Sequence, residues 1–304
     1  MGEIDLIPKT PGHLAAKLDG PRLVYALLVE DADRAVVFVH GFFGSADATW
    51  RDFQTLIESD NFPWWQRSDA YFYSYQSWQQ IVPQAEALRA FVKDTVLGGS
   101  GAGPDIHLSC ALPSGFTLES TIKFRRQYKS LVLIGHSTGG VIIREVVLQE
   151  AREIAKEVAR AKRKLKSADL GRSPILNSSI ACFAPAHRGA ICSGMLGIAL
   201  KAPVSEALLS LKLRSTPLYQ NILPGSPVLE DLKRETEQLQ TQFESVRALK
   251  ACSLFGADDA IVTIGKYAGD PEVETISSHG HTSICKPNPN FQNPLEFVIK
   301  CQSL

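Results

Sequence analysis

The chain has no surplus of charge: 32 Lys and Arg stand against 32 Asp and Glu in 304 residues. That removes any general electrostatic case for a nucleic-acid partner. It has six cysteines but no Cys-x-x-Cys pair and no His/Cys ligand spacing, which speaks against a zinc site. Cys182 and Cys252 lie in apolar, strand-like runs, so buried free thiols in a reducing compartment fit them best. No apolar run approaches the roughly 20 residues of a membrane span; Met195-Leu-Gly-Ile-Ala-Leu200 is far too short. The start, Met1-Gly-Glu-Ile-Asp-Leu6, has acidic residues where a signal peptide needs basic ones, and no apolar region follows. Leu6 stands where a myristoylation signal wants Ser or Thr. A cytoplasmic location is the expectation. There is no internal repeat and no low-complexity segment.

What is present reads as one α/β domain over residues 1–304. Leu23–Glu30 and Ala35–Val39 read as strands joined by the turn-like Asp31-Ala-Asp-Arg34. Tyr71–Tyr75, Leu131–Gly135, Ser178–Ala184, Lys250–Phe255 and Val273–Ser277 read as further strands. Between them lie helical patterns at Trp50–Ser59, Gln80–Leu97, Thr138 to about Lys166, and Pro294–Cys301. Such alternation predicts a largely parallel sheet with helices on both faces. Two stretches interrupt it. Residues 98–127 open Gly-rich and Asp105–Phe116 has no clear period, so we read a surface insertion. Residues 189–245 have helical patterns without a strand, and we read a helical cap. The outer half of the long helix, Ala151–Lys166, is dense in Arg, Lys and Glu and reads as a solvated face.

Ser137 carries the chemistry. It sits in Leu131-Val-Leu-Ile-Gly-His-Ser-Thr-Gly-Gly140, an apolar strand, a Gly135-x-Ser137-x-Gly139 turn, then a helix. A serine at the tip of such a turn is the nucleophile elbow, with its backbone strained and its flanking glycines sparing collisions. The helix start behind it aims free N–H groups at developing negative charge. Acyl transfer also needs oxyanion donors, a base and a group to orient the base. Val39-His40-Gly41-Phe42-Phe43-Gly44 follows a strand, and we assign the Phe42 and Thr138 N–H groups as oxyanion donors; His40 reads as structural. The acid comes from Leu254-Phe-Gly-Ala-Asp-Asp-Ala-Ile-Val262. Asp259 is favoured over Asp258 because it precedes the Ala-Ile-Val run, with Asp270 third. Ser277-Ser-His-Gly-His-Thr-Ser-Ile284 offers two bases, His279 and His281. No metal or organic cofactor is needed for this chemistry.

These parts resemble the α/β-hydrolase superfamily, in its lipase and serine-esterase branch. The resemblance runs from about Ala35 to about Pro287 and rests on Val-Phe-Val-His-Gly-Phe-Phe-Gly44, Leu-Ile-Gly-His-Ser-Thr-Gly-Gly140, Phe-Ala-Pro-Ala-His-Arg-Gly189 and His281-Thr-Ser-Ile-Cys-Lys-Pro287. The last piece is similar to the C-terminal His motif of serine-active-site proteins linked to phosphatidylglycerol remodelling. It implies His281 as the base, a central sheet of about eight strands, and hydrolysis of a carboxylic ester. Phe43, His187 and Met195 are candidate pocket residues, and the aromatic Phe62-Pro-Trp-Trp65 and the apolar stretch Ile191–Leu200 could add walls for an acyl or lipid-like ester. The same triad would serve an acyltransferase or thioesterase, and the fold alone would serve a non-catalytic binding protein. Peripheral membrane contact through the cap or the basic Arg160–Lys166 stretch stays open.

Overall fold

The structure is a computed structural model that describes residues 4–9, 13–18, 24–29, 31–57, 63–76, 78–98, 105–111, 117–123, 127–191 and 216–303. Its strands are β1 (Ile4–Lys9), β2 (His13–Leu18), β3 (Val24–Leu28), β4 (Arg34–Val39), β5 (Ser68–Tyr73), β6 (Asp105–Ala111), β7 (Thr117–Lys123), β8 (Ser130–His136), β9 (Ser179–Phe183), β10 (Cys252–Gly256) and β11 (Glu274–Ile276). Its helices are α1 (Ala46–Ile57), α2 (Ile81–Ala90), α3 (Thr138–Arg160), α4 (Ser167–Leu170), α5 (Pro217–Asn221), α6 (Pro227–Gln242) and α7 (Asn293–Gln302).

The strands form one sheet in the order β11-β10-β9-β8-β4-β5-β3-β2-β1-β6-β7. From β11 to β5 all pairings are parallel. β3 then runs antiparallel to β5, and β2 antiparallel to β3. These eight strands are the expected body, an α/β-hydrolase arrangement. Strand β1 and the β6–β7 hairpin extend its far edge. The hairpin lies where Asp105–Phe116 shows no clear period; the alternation of Ile106, Leu108 and Cys110 is too short a signal beside a Gly-rich flank. Of the expected cap, residues 192–215 lie outside the described residues, and α5 and α6 occupy the described remainder.

Strands covered on both faces should be apolar on both, and Val36 to Val39 are all fully buried. One face receives α1 and α7. Helix α1 turns Trp50, Phe53, Leu56 and Ile57 inward, a helical spacing. Phe38 lies 5.1 Å from the Trp50 ring and 5.3 Å from Phe53 by centroids, and Phe183 bridges Phe53 to Phe297 of α7. Helix α3 packs on the sheet strands β8, β4 and β9, and α2 and α6 pack against α3. Trp65, offered above as a pocket wall, belongs instead to this aromatic core, 6.1 Å from Phe38.

Helix α3 ends at Arg160, short of the expected Lys166. Lys162 takes a left-handed φ of 52°, its N–H reaches Ala159 O, and the Arg163 N–H reaches Val158 O. This is a Schellman ending made without glycine. The inner half of α3 is buried, including Arg144. Arg144 is ion-paired with the buried Asp270 and donates to Leu249 O at 2.7 Å. Asp270 also accepts from Gln240 Nε2, Ala251 N and Tyr267 N. Burial works against the Asp270 charge, yet Arg144 and these donors hold its carboxyl below the usual carboxylate range. Asp270 thus fastens α3 to the segment after β10 and is absent from the cavity below.

Candidate active site

The end of β8 and the start of α3 place Ser137 on a backbone of φ 52°, ψ −119°. L residues rarely adopt that conformation, and holding it costs of order 1–3 kcal/mol. The surroundings fix it. The Ser137 N–H donates to Phe183 O at 2.9 Å, and Ser137 O accepts from Ala186 N at 3.2 Å, tying the turn to β9. The flanking glycines are needed for close approach. A Cβ on Gly139 would sit 2.2 Å from Val39 O, and one on Gly135 would sit 2.5 Å from Gly140 N.

The Gly41–Gly44 turn closes with Gly44 N–H on Gly41 O at 3.0 Å, and Phe43 takes φ 54°. His40 anchors it. Its Nε2 accepts the Tyr75 N–H at 3.1 Å, so Nδ1 carries the proton and donates to Gly41 O at 2.8 Å. The Phe42 N–H lies in this turn, and the Thr138 N–H, first in α3, has no carbonyl one turn back to bond. Among the described residues neither donates to a backbone carbonyl.

Asp259 and His281 come together from separate loops. Asp259 Oδ2 lies 2.8 Å from His281 Nδ1, while Oδ1 accepts the N–H groups of Ile261 and Val262 at 2.8 and 3.1 Å. The Ala-Ile-Val run therefore supplies the amides that lock the carboxylate. Burial would raise its pKa, but the His281 hydrogen bond and charge and the two amides together hold it below the usual carboxylate value. Asp258 is exposed and offers its backbone N–H to His279 O. His279 stacks on Phe291, ring centroids 3.8 Å apart.

His136, the variable position of the elbow, does a job that sequence reasoning missed. Its Nε2–H donates to His281 O at 2.8 Å, bracing the His281 loop against the Ser137 turn. No local signal could show this, because it joins positions 145 residues apart.

Ser137, His281, Phe42 and Phe43 open on one cavity of about 430 Å³. Ala190, Ile222 and Ile261 give it an apolar wall, and Lys286 stands on its lining. His187, a candidate pocket residue, is corrected: it is buried and packs on Tyr267, ring centroids 4.9 Å apart, away from the lining. Met195 lies outside the described residues. Among the described residues no cluster of three or more His, Cys, Asp or Glu is placed to hold a metal, and no helix is long and apolar enough to cross a membrane.

Three buried histidines give the fold a pH dependence. Burial lowers His40 to about 4. Burial and the neighbouring His281 lower His136 to about 3, and burial and Arg144 lower His187 to about 3. Unfolded, each ring takes a proton near pH 6.5. Between about pH 6.5 and 3 the unfolded chain therefore binds more protons, so stability is full above that window and falls as pH drops through it. Each pKa unit is worth about 1.4 kcal/mol. Thermal unfolding followed by circular dichroism should show Tm dropping steeply from pH 6.5 to pH 4; a flat Tm across pH 6 to 4.5 would contradict the burial of these rings. Asp259 and Asp270, both lowered, add a further loss at still lower pH.

No family model matches the chain, and no curated protein matches it. Solved structures do. They include Bacillus licheniformis lipase BlEst2 in mature form, 15% identical with a TM-score of 0.47, covering 90% of this chain and 94% of that one. Esterase B from Lactobacillus rhamnosis, as a C6-C4 SN3 inhibited form, is 11% identical with a TM-score of 0.48, covering 92% and 81%. A predicted CIB-like hydrolase from Thermoplasma acidophilum is 14% identical with a TM-score of 0.44, covering 96% and 99%. The chain is similar to these proteins in fold.

Proposed function

We propose that the chain is a serine hydrolase of carboxylic esters. The observation that carries this reading is the convergence on one cavity of a serine held at φ 52° and a histidine whose far nitrogen meets a buried carboxylate at 2.8 Å. The Asp259 carboxylate takes the His281 Nδ1–H, which leaves Nε2 as the proton acceptor. His281 Nε2 removes the Ser137 Oγ proton as Oγ attacks the ester carbonyl. The Phe42 and Thr138 N–H groups hold the resulting oxyanion, each worth roughly 10²–10³ in rate. The tetrahedral adduct collapses, and His281 gives its proton to the departing alcohol. Water, deprotonated by the same nitrogen, then attacks the acyl-serine, and a second collapse releases the acid and restores Ser137. The apolar wall of Ala190, Ile222 and Ile261 suits a short or medium acyl group.

The test is a series of p-nitrophenyl esters of graded chain length, run with and without a competing alcohol acceptor. Hydrolysis to the free acid, insensitive to the acceptor, is the expected result. Acyl transfer to the acceptor as the main product would replace the hydrolase reading with the acyltransferase one. Turnover of none of the esters would remove both.

A further inference from the structure

The cavity carries one charged group that the proposed chemistry does not use. Lys286 lines it five residues after His281. Two tight turns join them: the Ile284 N–H reaches Gly280 O at 3.2 Å, and the Lys286 N–H reaches Ser283 O at 3.1 Å. Both side chains therefore look onto the cavity from one short, braced segment. Lys286 is exposed, and among the described residues its ammonium is in no ion pair.

No carboxylate offsets it on the described wall. Asp259 has no exposed side-chain surface behind His281. Asp52 acts on the neighbouring Cys285 but does not line the cavity. His136 stays neutral under burial. The start of α3 adds its positive dipole end at the floor. A cavity with one sign of charge and apolar walls concentrates substrates of the opposite sign.

We infer that the preferred esters carry a negative group, a carboxylate or a phosphate, which the Lys286 ammonium holds at the cavity mouth while the carbonyl meets Ser137. This rests on the esterase reading of the same site and adds the substrate class. The acid or the alcohol half of the ester could bear the anion, and the test separates the two.

The experiment compares two matched pairs of esters. Mono-p-nitrophenyl glutarate against p-nitrophenyl pentanoate places the charge on the acyl side. Butyryl glycerol phosphate against monobutyrin places a phosphate on the alcohol side. In at least one pair, the anionic-to-neutral ratio of kcat/KM should fall about 3- to 10-fold in Lys286→Ala and further in Lys286→Glu. In the wild type that ratio should shrink with added salt. The pair that responds identifies the half that bears the anion. A second arm needs no turnover: NMR titration of Ser137→Ala with butyl phosphate and with monobutyl glutarate should show binding weakened by about the same factor when Lys286→Ala is added. Hydrolysis with all ratios within twofold across the variants would overturn the anion site and leave the esterase reading intact. Lys286-dependent binding without hydrolysis of any ester would do the reverse.

Discussion

Ser137→Ala should lower kcat about 10⁴- to 10⁶-fold on any ester the wild type turns over, with Tm nearly unchanged. The size follows from removing the nucleophile of a unit whose members act together. Stability is the informative second readout. Alanine keeps the Cβ, so it keeps the strain of a φ of 52°. Ser137→Gly removes the Cβ and should be equally inactive yet more stable by roughly 1 kcal/mol, the relief of strain less the entropy cost of glycine. An inactive protein that gains stability would mean that the fold spends conformational energy to hold the serine out. A Gly variant less stable than wild type would show that the serine is there for packing, and a Ser137→Ala protein that keeps a tenth of its activity would remove Ser137 from the chemistry.

Asp259→Asn should lower kcat by about 10³- to 10⁴-fold with little change in KM, while Asp258→Asn stays within twofold of wild type. The contrast comes from hydrogen-bond accounting. One Asp259 oxygen is held by the Ile261 and Val262 N–H groups, and the other faces His281 Nδ1. An asparagine must keep its carbonyl oxygen toward those amides, which turns its NH₂ toward the ring. His281 Nδ1 then has to accept, the proton moves to Nε2, and Nε2 can no longer take a proton from the nucleophile. Steady-state kinetics on both variants decides the matter. Equal losses in the two, or the larger loss in Asp258→Asn, would mean that the adjacent pair has been assigned the wrong way round.

How far the sequence exposes this site depends on whether a part is local. The elbow is local: an apolar strand, two glycines and a helix start surround Ser137, and each has its physical reason within ten residues. Asp259 is nearly local, since the Ala-Ile-Val run after it supplies the amides that lock it. His281 is less so. Residue type and position leave it level with His279, and only the resemblance of its motif separates them; the structure puts His279 on Phe291 instead. The His136 brace, the Lys286 lining position and the Arg144–Asp270 pair are contacts between distant segments, and no spacing announces them. The fold follows the same rule. Apolar parallel strands declare themselves, whereas the Asp105–Lys123 hairpin has too few alternating residues to do so. A helix that ends on a left-handed lysine, as α3 does at Lys162, carries no glycine to mark its end. His187 fails as a pocket residue for a related reason: its position just after β9 fits either side of the chain, and burial against Tyr267 decides it.

The central claim is that Ser137 is an activated nucleophile, and intact-mass measurement after incubation with a fluorophosphonate tests it most directly. The account predicts one adduct per wild-type chain, none on Ser137→Ala, and slow, partial labelling of Asp259→Asn. A folded wild type that takes up no adduct, or a Ser137→Ala protein labelled as fast as wild type, would contradict it.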